Sequence, residues 1–353
     1  MENKNERKET MVENNCNKQT RFGNCRRATL RALWLCLLLS VAIAGGNTSS
    51  FGQVADPYIL AAGDISCAPD QRGVLPCKDQ ETANLINNLF STQPGGAGVL
   101  ALGDLQYEMG ELINFQTQYH PRWGQFASST FPAVGNHEYR TPGAAGYFDY
   151  WDSIQPGRAG VRGKGWYALN IGTWRVYVIN SVCKSAETDA GVWCNDGSEQ
   201  DTWLHNDMVN TQQSTPGKCS LMIMHHALWT SGNDVSNTPK VKALMDEFYF
   251  HGGDVALAGH SHSYERFGRS DSNQNLVYDT SAKSFRLFVV GTGGKNHASG
   301  FQNPVEPNSR VRDNTTFGVL KLRLGVGNYG WHFYAAPGTG TFDDRGEETC
   351  RPN

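Results

Sequence analysis

The chain has no positive excess. Its 353 residues hold 31 Lys and Arg against 34 Asp and Glu, a formal net charge of −3. Proteins that grip nucleic acid through its phosphates need the opposite sign, so no nucleic-acid-binding surface is expected. The chain also lacks the apolar run of about 20 residues that a membrane-spanning helix requires. Its leading candidate, Ala32 to Ala44, is only 13 residues long. No CxxC pair occurs, which removes the usual spacing of a structural zinc site. Internal repeats and low-complexity tracts are absent, and no interior linker divides the chain, so one domain is expected after residue 56.

What is present begins with a leader. Residues 1–31 are polar and carry Arg21, Arg26, Arg27 and Arg31. The apolar run follows, ending in the small-residue site Ala42-Ile43-Ala44 and then Gly45-Gly46. That is the order of a secretory signal. Arg26-Arg27-Ala28-Thr29-Leu30-Arg31 also resembles a twin-arginine export signal, with Thr29 where a bulky apolar residue is usual. The expected organisation is a signal peptide over 1–44, a linker over 45–56 and one domain over 57–353. The mature protein is expected to be secreted or periplasmic and free of the membrane. The leader carries 8 of the basic and 4 of the acidic residues, so its loss leaves 23 against 30. A protein this acidic would attract an anionic phosphate only through local cations. The oligomeric state is not legible.

Six cysteines remain beyond the leader, an even number that suggests disulfides in an exported chain. Cys67 with Cys77 and Cys183 with Cys194 would each close a short loop, which leaves Cys219 with Cys350.

Apolar runs bounded by turn residues mark strands, and apolar residues at helical spacing mark helices. The pattern predicts a strand over 57–63, a helix near 79–90, a strand at 98–102, a helix near 110–119 and a short strand at 131–134. A hairpin is expected over 165–180 around Gly172. Helices near 198–210 and 238–250 precede strands at 220–224 and 254–258. Strands at 285–290, 317–324 and 329–335 come last, and these are expected to form a second sheet packed on the first. Helices between strands indicate an α/β domain.

Five of the apolar runs end just before a residue able to bind a metal: Asp64, Asp104, Asn136, His225 and His260. In open α/β sheets, ligands gather beyond the carboxyl ends of the strands. Two carboxylates, an amide and two imidazoles would then meet on one rim, with Tyr107, His137 and His262 close behind. Two carboxylates and a phenolate are hard donors suited to Fe(III). An amide and imidazoles suit a divalent Zn, Mn or Fe ion. Such a set can hold two metal ions, which makes a hydrolase the leading reading.

The motifs occur in a fixed order: Gly63-Asp64, Gly103-Asp104-Leu105-Gln106-Tyr107, Gly135-Asn136-His137-Glu138, His225, and Gly259-His260-Ser261-His262. This set resembles the calcineurin-like metallophosphoesterases. GDLQY, GNHE and GHSHSYER are similar to the purple acid phosphatase branch, and the likeness runs from about residue 57 to about 336. The resemblance implies a four-layer αββα sandwich, two packed mixed β-sheets flanked by helices. It implies that Asp64, Tyr107 and His262 bind one metal, that Asn136, His225 and His260 bind a second, and that Asp104 bridges them. It places His137 outside the ligand set, near the phosphate, as general acid. It implies hydrolysis of a phosphate ester, foremost a monoester, by hydroxide held on the metals. A phosphodiesterase or nucleotidase would use the same residues, and a secreted binding protein with a vestigial site is the non-enzyme alternative. Ser66 stands where many superfamily members have a histidine ligand and the purple branch usually has glycine, and Tyr107 would supply the missing donor. About 20 residues separate the leader from Asp64, so a small form without the N-terminal β domain of larger plant-type members is expected.

Other residues carry ordinary readings. Asp64 and Asp104 alone would read as helix N-caps, but caps do not explain the histidines. Glu265-Arg266 reads as an ion pair and the aromatics of 146–151 as core. His226 and His297 receive no role. His120, His205, His251 and His332 have no supporting pattern.

Overall fold

A computed structural model describes residues 55–185, 190–279 and 281–350. The expected leader and most of the linker lie outside the described residues. β1 (Tyr58–Ala62), β2 (Gly96–Leu102) and β3 (Thr130–Ala133) run parallel. Parallel neighbours need a crossover. Between β1 and β2 it is α1 (Asp79–Thr92), which buries Ala83, Ile86 and Leu89 at helical spacing. Between β2 and β3 a single turn, α2 (Leu112–Asn114), widens into π-helical Phe115–Tyr119. α3 (Ala145–Ile154) follows β3 and buries Tyr147, Phe148, Tyr150 and Trp151, so these aromatics are core, as expected.

β4 (Tyr167–Ile171) and β5 (Trp174–Val178) form the expected hairpin, with Gly172 supplying a φ of 56° at the turn. α4 (Glu199–Ser214) leads to β6 (Ser220–Ile223), and α5 (Lys242–Phe250) leads to β7 (Val255–Ala258). β8 (Tyr264–Phe267), β9 (Arg286–Val290), β10 (Ser309–Asp313), β11 (Gly318–Gly325), β12 (Asn328–Ala335) and β13 (Asp344–Thr349) complete the chain.

The strands sort into two mixed sheets, β13-β12-β11-β1-β2-β3 and β10-β8-β9-β7-β6-β5-β4. This is the expected two-sheet sandwich flanked by helices, with one correction. The late strands do not build a sheet of their own. β11 pairs antiparallel with β1 and brings β12 and β13 into the first sheet, whereas β9 pairs parallel with β7 in the second. Apolar content marks a strand but does not say which edge it joins.

Side chains alternate between the two faces of the second sheet, as the pleat requires. Val176, Leu221, Val255 and Leu257 point into the core between the sheets. Tyr177, Met222, Ala256 and Ala258 point the other way, onto Leu204 and Met208 of α4 and Leu244, Met245 and Phe248 of α5. All three expected disulfides are formed. Cys219–Cys350 joins the residue before β6 to the residue after β13, so it ties one sheet to the other. Among the described residues no helix is long and apolar enough to cross a membrane.

Candidate metal centre

β1, β2, β6 and β7 each end two residues before a predicted donor: Asp64, Asp104, His225 and His260. Asn136 lies three residues beyond β3. The rim is thus shared by the carboxyl ends of both sheets. The glycines before the donors are required by crowding. A Cβ on Gly135 would lie 2.2 Å from Asp104 Oδ1, and one on Gly103 would lie 2.6 Å from the His225 ring. Asp64, Asp104 and His260 hold φ values of 60°, 48° and 71°, a left-handed region uncommon for residues with a Cβ. Such strain concentrates at functional sites.

The predicted residues meet in two adjoining groups. In the first, the Tyr107 hydroxyl donates to Asp64 Oδ1 at 2.8 Å and lies 3.0 Å from His262 Nε2. In the second, His225 Nε2 lies 3.0 Å from Asn136 Oδ1, 3.2 Å from His260 Nδ1 and 3.3 Å from Asp104 Oδ2. Asp104 stands between them, since Asp64, Asp104 and His225 each offer an atom within 4.8 Å of the others. His137 Nε2 is 3.8 Å from Asp104 Oδ2, at the edge of the set. Backbone carbonyls of Leu102, Asn296 and Glu108 accept from Nδ1 of His225, His262 and His137 at 2.9, 2.7 and 2.8 Å. Each of those rings is thereby oriented with Nε2 toward the cluster.

Burial opposes ionisation of Asp104, but the charge and hydrogen bond of His225, then His137 and His260, hold its carboxyl well below the usual range. Burial of His225 is outweighed by Asp104, which lifts the imidazole to about 9. Burial, then the charge of His225, lowers His260 to about 4. Burial lowers His137 as well. Burial and the charges of Asp104 and Asp64 hold the Tyr107 phenol well above its ordinary value, so it stays protonated and donates.

The calcineurin-like phosphoesterase family model matches residues 57–264. The chain belongs to that family. A nucleotide pyrophosphatase/phosphodiesterase of Hordeum vulgare is 25% identical over 79% of this chain and 83% of its own length. A probable inactive purple acid phosphatase of Arabidopsis thaliana is 29% identical over 64% of this chain but 38% of its own length. Among solved structures, a purple acid phosphatase from yellow lupin seeds shares the fold at a TM-score of 0.63, with 19% identity over 84% of this chain and 54% of that one. A dimetal phosphatase from Danio rerio shares it at a TM-score of 0.55, with 10% identity over 82% of this chain and 98% of that one. This chain therefore spans well under two thirds of the Arabidopsis and lupin proteins.

For a calcineurin-like phosphoesterase, whose relatives imply a dinuclear metal site, the donors can be tested against that requirement. Asp64 and Asp104 are 0% and 2% exposed. Their ion-pair partners among the described residues are histidines, never lysine or arginine. Buried carboxylates left without a fixed positive charge are costly. Two cations would neutralise them, so the set fits. Ser66 does not compete, because its hydroxyl donates to Asp79 at 2.8 Å.

Several residues had no assigned role in the sequence. Glu138, fully buried, accepts from the backbone N–H groups of Gly135, Asp104, Leu105 and Gln106, at 2.7–3.3 Å. It clamps two donor loops together, and its place in Gly135-Asn136-His137-Glu138 was the available signal. Lys295 binds Glu108 at 2.7 Å and rests 4.4 Å from the Tyr107 ring centroid. The His226 ring lies 4.3 Å from that of His260, tilted by 53°, and its Nδ1 meets Ser181 Oγ at 3.2 Å. His297 stacks on Phe317 and helps line an open cleft of about 390 Å³ with Asp104, His137, His260 and His262. The expected Glu265–Arg266 pair does not form. Neighbours on a strand point to opposite faces. Glu265 takes Ser231 N–H at 2.7 Å, and Arg266 binds Asp344.

Proposed function

We propose that this chain is an exported dinuclear phosphoester hydrolase, acting as an acid-phosphatase-like monoesterase. The observation that carries the reading is the meeting of Asp64, Tyr107 and His262 with Asn136, His225 and His260 across the shared Asp104. The first three would hold Fe(III), the second three a Zn, Mn or Fe ion, and Asp104 both. When bound, such ions activate water and polarise a phosphoryl group. The chain's own residues do the rest. Asp104 and the oriented imidazoles fix the donor positions. His137, braced at Nδ1 by the Glu108 carbonyl and lining the cleft, would deliver a proton from Nε2 to the leaving oxygen. Lys295 and Glu108 steady the segment that carries Tyr107.

Export is supported by the leader pattern and by three disulfides, which persist in oxidising compartments. Because some relatives are named as probable inactive enzymes, the donor set rather than family membership supports activity. A second reading, phosphodiesterase or nucleotidase, draws on the barley relative's name. The test is hydrolysis of nitrophenyl phosphate and bis-nitrophenyl phosphate, each with and without chelator. Chelator-sensitive turnover that favours the monoester supports the proposal. A diester preference supports the second reading, and no hydrolysis of either contradicts both.

A further inference from the structure

A second group of metal-binding side chains lies outside the cleft, where α4 packs on α5. His205 of α4 points Nδ1 at Glu247 Oε2 of α5, 2.9 Å away. His251, one turn beyond Glu247, brings Nε2 to within 3.2 Å of the same oxygen and 3.3 Å of His205 Nδ1. Three atoms from three side chains thus share one small triangle. A tetrahedral ion with bonds of about 2.0–2.1 Å sets its ligand atoms about 3.3 Å apart, so the triangle already has the required size. Two imidazoles and a carboxylate are donors for a borderline-soft divalent ion.

The local backbone explains the convergence. Residues four apart on a helix share a face, which puts Glu247 and His251 side by side. The last turn of α5 is fixed by the His251 N–H donating to Glu247 O at 3.0 Å. The His251 carbonyl accepts from Gln212 of α4 at 3.3 Å, which holds the two helices in register. The His205 side chain is 49% exposed, and those of Glu247 and His251 are 22% and 25% exposed, so an ion can enter from solvent.

We propose that His205, Glu247 and His251 form a divalent transition-metal site, with zinc as the natural probe, that clamps α4 to α5 and leaves a fourth position open to water. This goes beyond the phosphoesterase reading and does not rest on it, since none of the three residues is among the cleft donors.

The full chain would be stripped with chelator, returned to zinc, freed of unbound ion and analysed for metal per chain. Wild type should carry one zinc equivalent more than His251→Ala and one more than Glu247→Gln, with unchanged circular dichroism and unchanged hydrolysis. Zinc should raise the melting temperature of wild type above that of either variant. With Cu(II) as probe, nitrogen hyperfine structure assigned to this site should be lost in His205→Ala. Equal zinc content in wild type and both variants would overturn the proposal, whatever the outcome of the hydrolysis assays.

Discussion

Carboxylates meet two kinds of partner in this protein, beside β13 and at the rim, and each region neutralises them differently. Beside β13, Asp344 accepts from Arg266 at 2.7 and 2.9 Å and from the Tyr264 hydroxyl at 2.6 Å. Glu348 meets Arg269, Arg286 and Tyr329. At the rim, Asp64 and Asp104 meet a phenol and imidazoles instead. Guanidinium is charged at any working pH, so the β13 region is electrically complete within the chain. Imidazole and phenol can give up a proton and become ligands. On the proposed reading the rim receives cations, and the contrast separates carboxylates that hold sheets from carboxylates that would serve chemistry.

The largest effect is expected at Asp104, the rim carboxylate proposed to serve both metals. Asp104→Ala should reduce hydrolysis to background while circular dichroism and the disulfide-bonded fold persist. An active Asp104→Ala protein would erase the contrast with β13. Next comes His137, the proposed proton donor. His137→Ala should slow alkyl phosphates by about 10²–10⁴-fold and nitrophenyl phosphate far less, because the better leaving group needs less protonation. Equal slowing of both would point to positioning instead.

The β13 region should respond in the opposite sense. Asp344→Ala strands Arg266 and should cost about 3–5 kcal/mol of stability in urea unfolding, with metal content and turnover at 25 °C preserved. Loss of metal without loss of stability would invert the comparison. Tyr107→Phe sharpens it at the level of one oxygen. An iron-loaded wild type should be purple or pink from phenolate charge transfer, and the variant colourless but folded. The smallest effect is expected at Glu108. Burial opposes its ionisation, but hydrogen bonds from Lys295 and Gln71 bring the carboxyl down to about 2. A depressed folded value contributes stability above the ordinary carboxylate range that is lost as pH falls through about 2. Glu108→Gln should thus weaken the protein at neutral pH and matter little at pH 2, by thermal unfolding.

The same contrast explains what was legible in the sequence. Strands buried on both faces, such as Leu60 in β1 or Leu221 in β6, announce themselves as apolar runs, and the donors follow them at once. β10 (SRVRD) and β13 (DRGEET) are polar edge strands, where charge discourages pairing with other chains, so hydrophobic pattern does not mark them. Glu138 was hidden for another reason. Its partners are backbone N–H groups brought close only by the fold. His205 and His251 had no visible pattern because the group they join crosses two helices, with His205 lying 42 residues before Glu247.

The most direct test of the central contrast is metal analysis of wild type, Asp104→Asn and Asp344→Asn, purified and loaded side by side. Asp104→Asn should carry two fewer ions per chain than wild type, whereas Asp344→Asn should carry the wild-type number. Wild-type metal content in Asp104→Asn would contradict that contrast.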